Sequence, residues 1–252
     1  SSQKWLEYAA RAPIPVSWLF RWEANRVRRI ETAASQTRAV VVCTEPEAEI
    51  YRSFCERGNS TVIANGVDLE FFKPAEEPPA ADCVFIGYLD YRANVTGLQW
   101  FCEKVWPRLR QRHPQAVFQI VGRNAVPSVT RLERIEGVEV VGSVPDVRPF
   151  LRRSKVVIAP LLVARGVQNK VLEAMAAGKP VVATPQALTG LRVEDGVNVR
   201  AAETPEEWVD AVSSLWTDGD QAVEIGRRAR SYVETNHRWE SCLEPFTQLV
   251  KA

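Results

Sequence analysis

The chain has 252 residues, of which 46% are hydrophobic and 25% are charged. This is the composition of a globular protein, and it excludes disordered, collagen-like and low-complexity chains. The 32 Lys and Arg residues and 31 Asp and Glu residues leave a net charge of +1. No overall basic field therefore favours nucleic acid or an anionic membrane as partner. The length allows one large domain, or one and a half to two smaller ones.

The cysteines and histidines bear on compartment and metal chemistry. Five widely spaced cysteines, most of them inside apolar runs such as ADCVFIG, are typical of a reduced, cytoplasmic protein. The two histidines, His113 and His237, are far apart and no CxxC pair is present, which argues against a zinc site and a histidine-based catalytic triad. No apolar run approaches the roughly 18 residues of a membrane span.

The first predicted element is an amphipathic helix over Ser17–Ser35, because apolar residues recur there at helical spacings. Basic residues fill the intervening positions and continue beyond the helix: Arg21, Arg26, Arg28, Arg29 and Arg38. We interpret them as a solvated face. Contact with membrane headgroups is the alternative, which the interspersed Glu23 and Glu31 weaken.

A β-α-β unit follows. Arg38–Cys43 is a β-branched run, and Thr44 with Glu47 has the spacing of a helix-capping box. Gly58 is the expected end of that helix, and Thr61–Ala64 is the second strand. An Asn65-Gly66 turn signal comes next.

Residues 73–82 read KPAEEPPAAD, with three prolines and no large apolar side chain, so we predict a surface linker there. It separates residues 1–72 from a domain at 83–235, which a C-terminal helix at 236–252 follows.

After the linker, strands and helices alternate. The predicted strands are Cys83–Gly87, Ala116–Val121, Val138–Val141, Lys155–Pro160 and Pro180–Thr184. Helices are predicted from Asn94, with a kink at Pro107, from Pro127 to Gly137, after an Asp146 cap, over Gln168–Ala177, and from a capping box at Thr204. Short apolar strands separated by helices indicate an α/β fold with a parallel, doubly wound, Rossmann-like sheet.

Ligands of such sheets bind at the carboxyl ends of the strands. The loops at these ends contain neither GxGxxG nor GxxxxGK[ST], so the usual fingerprints of dinucleotide-dependent dehydrogenases and P-loop NTPases are missing.

Residues 165–170, RGVQNK, run into a predicted helix N-terminus, where free N–H groups favour an anion. Arg165, Lys170 and Arg123 would add positive charge. Lys170 and Glu173 share one helix face, which suits a nucleotide, since the lysine can bind phosphate and the carboxylate can accept from ribose hydroxyls. The alternative is an ordinary solvent-exposed ion pair.

The segment ARGVQNKVLEAMAAGKPVVAT resembles the donor site of GT-B glycosyltransferases, in particular the retaining family 4 group that uses sugar nucleotides. FIGYLDYRANVTGLQWF, FQIVGRN, VEVVGSVPDVRPFL and RARSYVETNHRWE agree in order, so the resemblance covers about residues 61 to 250. It is nearest to a bacterial subgroup tied to exopolysaccharide and envelope sugar assembly. The family has two Rossmann-like lobes with the active site between them, and its C-terminal lobe binds the nucleotide sugar.

The resemblance implies roles for particular residues. Glu173 matches a ribose-binding glutamate, Gly166 begins the loop that holds the diphosphate, Gly87 lies in the first phosphate-facing loop, and Val144 lies where the base is contacted. The implied donor-binding set is Gly87, Arg92, Asn94, Gly122, Arg123, Val144, Gly166, Val167, Gln168 and Asn169. Glu173, Lys170 and Arg165 are the implied catalytic residues, with no metal and no cofactor.

The sequence departs from the family pattern at Arg165, which replaces the first glutamate of the E-x7-E motif, and in the first loop, where Tyr88 and Ala93 replace the usual Arg and Lys. Residues 1–72 resemble only the last helix and β-α-β unit of an N-terminal acceptor lobe. We therefore expect this length to be too short for the whole enzyme, and the fragment to bind its donor without turnover.

The resulting prediction is a GT-B C-terminal lobe with a partial N-terminal lobe segment, from a retaining glycosyltransferase. It would transfer sugar from a UDP-, GDP- or ADP-sugar to a polysaccharide or lipid-linked acceptor. The expected location is the cytoplasm, with peripheral contact at the inner membrane face as an option. The missing N-terminal lobe or a second copy would cover Trp5, Trp18 and Trp22. The alternatives are a non-catalytic nucleotide-sugar-binding module and a GT-B sugar-nucleotide epimerase.

Overall fold

The computed structural model describes residues 1–34, 36–37, 39–55, 60–75 and 77–251. Within them, eight strands form two parallel sheets. The strands are β1 (Val40–Val42), β2 (Ser60–Val62), β3 (Ala81–Ile86), β4 (Phe118–Val121), β5 (Val138–Gly142), β6 (Ser154–Ala159), β7 (Val181–Ala183) and β8 (Arg200–Ala201). The helices are α1 (Ser2–Arg11), α2 (Ile14–Ala34), α3 (Glu45–Arg52), α4 (Arg92–Trp100), α5 (Trp106–Arg112), α6 (Pro127–Thr130), α7 (Arg148–Arg152), α8 (Asn169–Ala176), α9 (Pro185–Leu188), α10 (Pro205–Thr217), α11 (Gly219–Asn236), α12 (Trp239–Cys242) and α13 (Glu244–Lys251).

The large sheet has the strand order β5-β4-β3-β6-β7-β8, and every pair in it is parallel. The chain moves outward in one direction from β3 to β5, then returns to the centre and moves outward in the other direction from β6 to β8. This doubly wound order confirms the predicted fold class and places a switch point between β3 and β6.

Most of the predicted strands are present with boundaries shifted by one to three residues. Strand β3 begins at Ala81, so Ala81 and Asp82 belong to the sheet although the sequence assigned them to the linker. Helix α8 begins at Asn169 and Gln168 is its N-cap, and α4 begins at Arg92, two residues before Asn94. Ser35, Arg38, Gly58 and the linker residue Glu76 lie outside the described residues.

Side-chain caps begin α3 and α10, where the sequence predicts capping boxes of the Thr-x-x-Glu type. Thr44 accepts a hydrogen bond of 3.3 Å from the backbone N–H of Glu47. At Thr204 the capping box is complete, because Glu207 also accepts from the Thr204 backbone N–H. The third predicted cap differs. Val147 is the N-cap of α7, and Asp146 accepts from the N–H and guanidinium of Arg148 instead.

Pro107 changes the helix in the way its missing N–H requires. The turn before it, Phe101–Val105, is a π-helix that joins α4 to α5. A proline cannot bond the carbonyl four residues earlier and its ring crowds that turn, so the chain forms a widened turn at the place where the sequence predicts a kink.

The core beneath this helix is aromatic. Phe101, Trp106, Phe118 and Trp208 are fully buried, with ring centroids 5.3 to 6.4 Å apart between contacting pairs. Burial of each such side chain contributes roughly 1.5 to 3 kcal/mol. The Trp106 indole N–H donates to the Glu136 carbonyl at 3.0 Å, which satisfies its polar atom.

The N-terminal part is a helical hairpin followed by a short β-α-β unit. Helices α1 and α2 pack together around Tyr8, Ala9 and Phe20, and Val163 from the loop after β6 completes this small core. Trp18 and Trp22 on the outer side are 72% and 57% exposed. No helix among the described residues is long and apolar enough to cross a bilayer.

The end of the chain returns to the segment after β2. His237 donates from Nδ1 to the Asn65 carbonyl at 2.8 Å, and the Val67 N–H bonds the His237 carbonyl at 2.8 Å. A Cβ on Gly66 would lie 2.6 Å from the Trp239 ring, so only glycine allows this close approach. The predicted Asn-Gly turn is therefore a docking point for the C-terminal segment.

Candidate donor-binding site

A cavity of about 430 Å³ opens at the carboxyl edge of the large sheet, beside the switch point between β3 and β6. Nine of the thirteen predicted site residues line it: Gly87, Asn94, Gly122, Arg123, Val167, Gln168, Asn169, Lys170 and Glu173. Phe72, Ile86, Tyr88, Tyr91 and Val147 complete the lining. The fold thus brings together loops that are up to about 100 residues apart in the sequence.

The N-terminus of α8 faces this cavity without a side-chain cap. Gln168 occupies the N-cap position, but its amide donates to the carbonyls of Arg165 and Gly166 at 3.1 and 3.2 Å. The Val171 N–H donates to the Gln168 carbonyl at 2.9 Å, whereas the N–H groups of Asn169 and Lys170 have no carbonyl acceptor one turn earlier in the helix. The helix dipole adds partial positive charge at this end. This end of α8 is suited to an anion.

Lys170 lies in the first turn of α8, and its ammonium donates to the Asn94 side-chain carbonyl at 2.7 Å. The ammonium also lies 4.0 Å from the centroid of the Phe85 ring. Burial lowers the pKa of Lys170 to about 7, although the Glu173 carboxylate raises it. Because burial destabilises the charged form of Lys170, a phosphate that binds beside it would stabilise the ammonium strongly.

Glu173 lies one turn further along α8. Burial raises the pKa of its carboxyl group, and the neighbouring Lys170 ammonium lowers it. Among the described residues the Glu173 carboxylate forms no hydrogen bond within 3.5 Å and no ion pair within 4.0 Å, so both of its oxygens remain available to hydroxyl donors in the cavity.

Two glycines form the floor between the β3 and β4 loops. An ideal Cβ on Gly122 would lie 1.7 Å from the Gly87 carbonyl oxygen, and one on Gly87 would lie 2.8 Å from the Lys170 ammonium. The close approach of the Gly87 backbone therefore explains the glycine at 122, and a side chain at position 87 would displace the Lys170 ammonium and the Asn94 amide.

Arg165 and Arg92 lie outside the cavity lining and turn towards the N-terminal hairpin. Arg165 forms an ion pair with Glu7 of α1. The Arg92 guanidinium lies 5.1 Å from the Tyr8 ring and 4.6 Å from the Phe20 ring. Both arginines thus attach α1 and α2 to the loops beside the cavity.

Val144 and Gly166 also lie outside the main lining. Val144 lines a neighbouring cavity of about 210 Å³, which shares Gly122, Arg123 and Val147 with the larger one. Gly166 has a φ of +66°, and a Cβ there would lie 3.5 Å from the nearer carboxylate oxygen of Glu47.

Asn65 is a site neighbour that the sequence reasoning treated only as a turn residue. Its side-chain amide donates to the Asn169 side-chain oxygen at 2.8 Å, at the start of α8. The Asn65-Gly66 signal was visible in the sequence, but its contact with a residue 104 positions later was not. Among the described residues, no group of three or more His, Cys, Asp and Glu side chains is placed to hold a metal ion.

Solved structures share this fold. A point mutant of S. aureus TarM, crystallised with fondaparinux, α-GlcNAc-glycerol and UDP, is 20% identical with a TM-score of 0.77, over 91% of this chain and 47% of TarM. Anabaena Alr3699/HepE in complex with UDP and glucose is 18% identical with a TM-score of 0.74, over 90% of this chain and 67% of HepE. These similarities establish a GT-B glycosyltransferase fold.

A curated relative and a family profile agree with the structural matches. Glycosyltransferase 1 domain-containing protein 1 of Xenopus tropicalis is 24% identical over 176 residues, which are 65% of this chain and 51% of that protein. The chain thus spans about half the length of this relative and of TarM. Residues 80–218, just over half of the chain, match the profile described as "Glycosyl transferases group 1". The chain, with its cavity beside the switch point between β3 and β6, therefore belongs to the group 1 glycosyl transferases.

Proposed function

We propose that this chain is the donor-binding lobe, with part of the acceptor lobe, of a retaining glycosyltransferase that uses a sugar nucleotide. The convergence of the uncapped α8 N-terminus, Lys170 and Glu173 on one cavity at the switch point carries this proposal. A nucleoside diphosphate needs a cationic site for its phosphates and an acceptor for its ribose hydroxyls, and these groups supply both.

The protein's role in transfer follows from the charge that develops. As the bond between the sugar and the diphosphate breaks, negative charge grows on the leaving phosphate oxygen. Lys170, Arg123 and the first N–H groups of α8 would stabilise that charge in place. Arg165 is held by Glu7, and its contact with the diphosphate stays a prediction.

The solved relatives guide the choice of donor and acceptor. TarM and HepE were crystallised with UDP, TarM also with α-GlcNAc-glycerol and HepE also with glucose. We therefore expect a UDP-sugar to bind more tightly than a GDP- or ADP-sugar. The proposed acceptor is a growing polysaccharide or a lipid-linked saccharide.

Calorimetric titration with UDP-, GDP- and ADP-sugars tests the proposal. Loss of one charge-assisted hydrogen bond costs roughly 1.5 to 3 kcal/mol, so Glu173→Ala should weaken donor binding about 10- to 100-fold. Glu133→Ala, at an exposed position in the turn over Arg131–Arg134, is the matched control and should leave the affinity unchanged. Equal affinities of Glu173→Ala and the wild type would contradict the ribose assignment.

A non-catalytic nucleotide-sugar-binding module is the second candidate. Of the described residues before the linker, only Phe72 lines the cavity, so the N-terminal part contributes little to it. Incubation of the chain with a bound UDP-sugar and a saccharide acceptor tests this second candidate. Transfer to the acceptor would contradict a non-catalytic module, whereas binding without transfer is expected both of such a module and of a donor-binding lobe.

We also propose that the reaction takes place at the cytoplasmic side of a membrane. The exposed Trp18, Leu19 and Trp22 of α2 lie among arginines, which suits lipid headgroups. Co-sedimentation with vesicles that contain anionic lipid tests this contact, and Trp18→Ser with Trp22→Ser should abolish it. Wild-type chain that remains in the supernatant would contradict it.

A further inference from the structure

Asn94 is a buried polar residue in the first turn of α4, 4% exposed, and its amide has a fixed orientation. Its Nδ2 donates to the Tyr88 backbone carbonyl at 2.7 Å, and its Oδ1 accepts from the Lys170 ammonium at 2.7 Å. A carbonyl oxygen can only accept and an ammonium can only donate. Reversal of the amide would therefore break both bonds.

This orientation determines where the lysine charge lies. The loop after β3 has no lysine between Tyr88 and Ala93, and Arg92 is turned away beneath Tyr8 and Phe20. Through Asn94, α8 brings the Lys170 ammonium across the switch point to the backbone of Gly87. The cation that the β3 loop lacks is thus supplied by another element.

Asn94 and Lys170 differ in how many hydrogen-bond donors they have left for a ligand. Asn94 uses its oxygen and one amide hydrogen within the protein, whereas Lys170 uses one of its three ammonium hydrogens on Asn94. Two ammonium donors therefore remain for phosphate oxygens in the cavity.

We propose that Asn94 is a positioning residue that holds the Lys170 ammonium over Gly87 for the donor diphosphate, and is not itself a ligand of the donor. This inference rests on the proposed function, since it assigns separate roles to Asn94 and Lys170 within the same site.

The pH dependence of binding distinguishes positioning from direct contact. The ionisable groups that share the cavity with Lys170 are Glu173 on α8, Arg123 after β4, and Tyr88 and Tyr91 after β3. Burial lowers the pKa of Lys170 to about 7. A carboxylate at position 94 would raise that pKa and an alanine would lower it, because each changes the partner of the charged form.

UDP-glucose is the probe, because its diphosphate does not titrate near neutrality, and calorimetry at intervals from pH 6.0 to 8.5 is the assay. Wild-type affinity should fall about 30-fold over this range as Lys170 loses its proton. With Asn94→Asp the affinity should be lower at pH 6 but nearly constant to pH 8.5. With Asn94→Ala the fall should begin below pH 6.5. Lys170→Arg should bind without this pH dependence, since arginine keeps its proton.

Gln111→Glu is the control for added negative charge. It lies near the end of α5, which leads to the amino-terminal edge of the sheet, and it should reproduce the wild-type profile. If both Asn94 variants weaken binding equally at every pH and leave the midpoint unmoved, Asn94 acts as a direct ligand or only in folding, and the inference is overturned. If the wild-type chain binds UDP-glucose at no pH, the proposed function itself fails for that donor.

Discussion

Replacement of Lys170 by methionine should change the stability of the protein in a way that depends on pH. Methionine is unbranched like lysine, lacks only the terminal atom in length, and removes the charge. Burial lowers the pKa of Lys170 from 10.5 to about 7, so the charged form is disfavoured in the folded state by on the order of 5 kcal/mol, at about 1.4 kcal/mol per pH unit. That unfavourable contribution is removed in Lys170→Met.

The sign follows from proton binding. Between pH 7 and 10.5 the unfolded chain keeps the lysine proton and the folded chain has lost it, so wild-type stability contributed by Lys170 rises with pH. The contribution disfavours folding by about 5 kcal/mol at pH 6 and about 1 kcal/mol at pH 10. The variant leaves the Asn94 oxygen without its partner, which costs about 1 to 3 kcal/mol at every pH.

Lys170→Met should therefore be more stable than the wild type by about 2 to 4 kcal/mol at pH 6, and equally or less stable at pH 10. Urea unfolding of both chains at pH 6, 7, 8, 9 and 10 measures this difference, in which the titration of groups that do not interact with Lys170 cancels. Lys73→Met removes an exposed lysine and should show no such trend. A Lys170→Met difference that is constant from pH 6 to 10 would refute the reasoning.

Two further predictions concern the frame of the cavity. Gly122→Ala should destabilise the protein by more than about 2 kcal/mol in urea unfolding, because its Cβ would lie 1.7 Å from the Gly87 carbonyl oxygen. Gly219→Ala is the control, since an ideal Cβ there meets no described atom within 4 Å. It should be neutral or stabilising by up to about 1 kcal/mol. Arg92→Met should increase amide hydrogen exchange in α1 and α2, because the Arg92 guanidinium contacts rings of both helices. Arg26→Met, which removes an exposed contact with Trp22 and an exposed ion pair with Glu23, should leave the exchange unchanged. Equal exchange in the two variants would show that Arg92 does not hold the hairpin.

The sequence predicted the sheet well because its signals are local. Continuous apolar runs such as VVIA are buried on both faces in β6, and Thr204 and Glu207 form the predicted capping box within one helical turn. Lys170 and Glu173 were predicted together because they share a turn of α8.

The directions of Arg165 and Arg92 depend on contacts that no local pattern encodes. Glu7 lies 158 residues before Arg165, and the rings that cover Arg92 come from α1 and α2. The charge of these arginines was evident in the sequence, but their partners depend on how α1 and α2 pack against the rest of the chain. Asn94 and Lys170 likewise meet across 76 residues because their elements flank the same switch point.

The docking of His237 and Trp239 on residues 65–67 has a consequence for biosynthesis. The N-terminus of a nascent chain leaves the ribosome first. Asn65 therefore emerges 172 residues before His237, which donates to its carbonyl. Asn65 is also the residue that contacts Asn169 at the start of α8. A nascent chain that ends before His237 can complete the six-stranded sheet while the segment beside the cavity still lacks this support. The cavity at the start of α8 would thus be among the last parts of the molecule to reach its final form during synthesis.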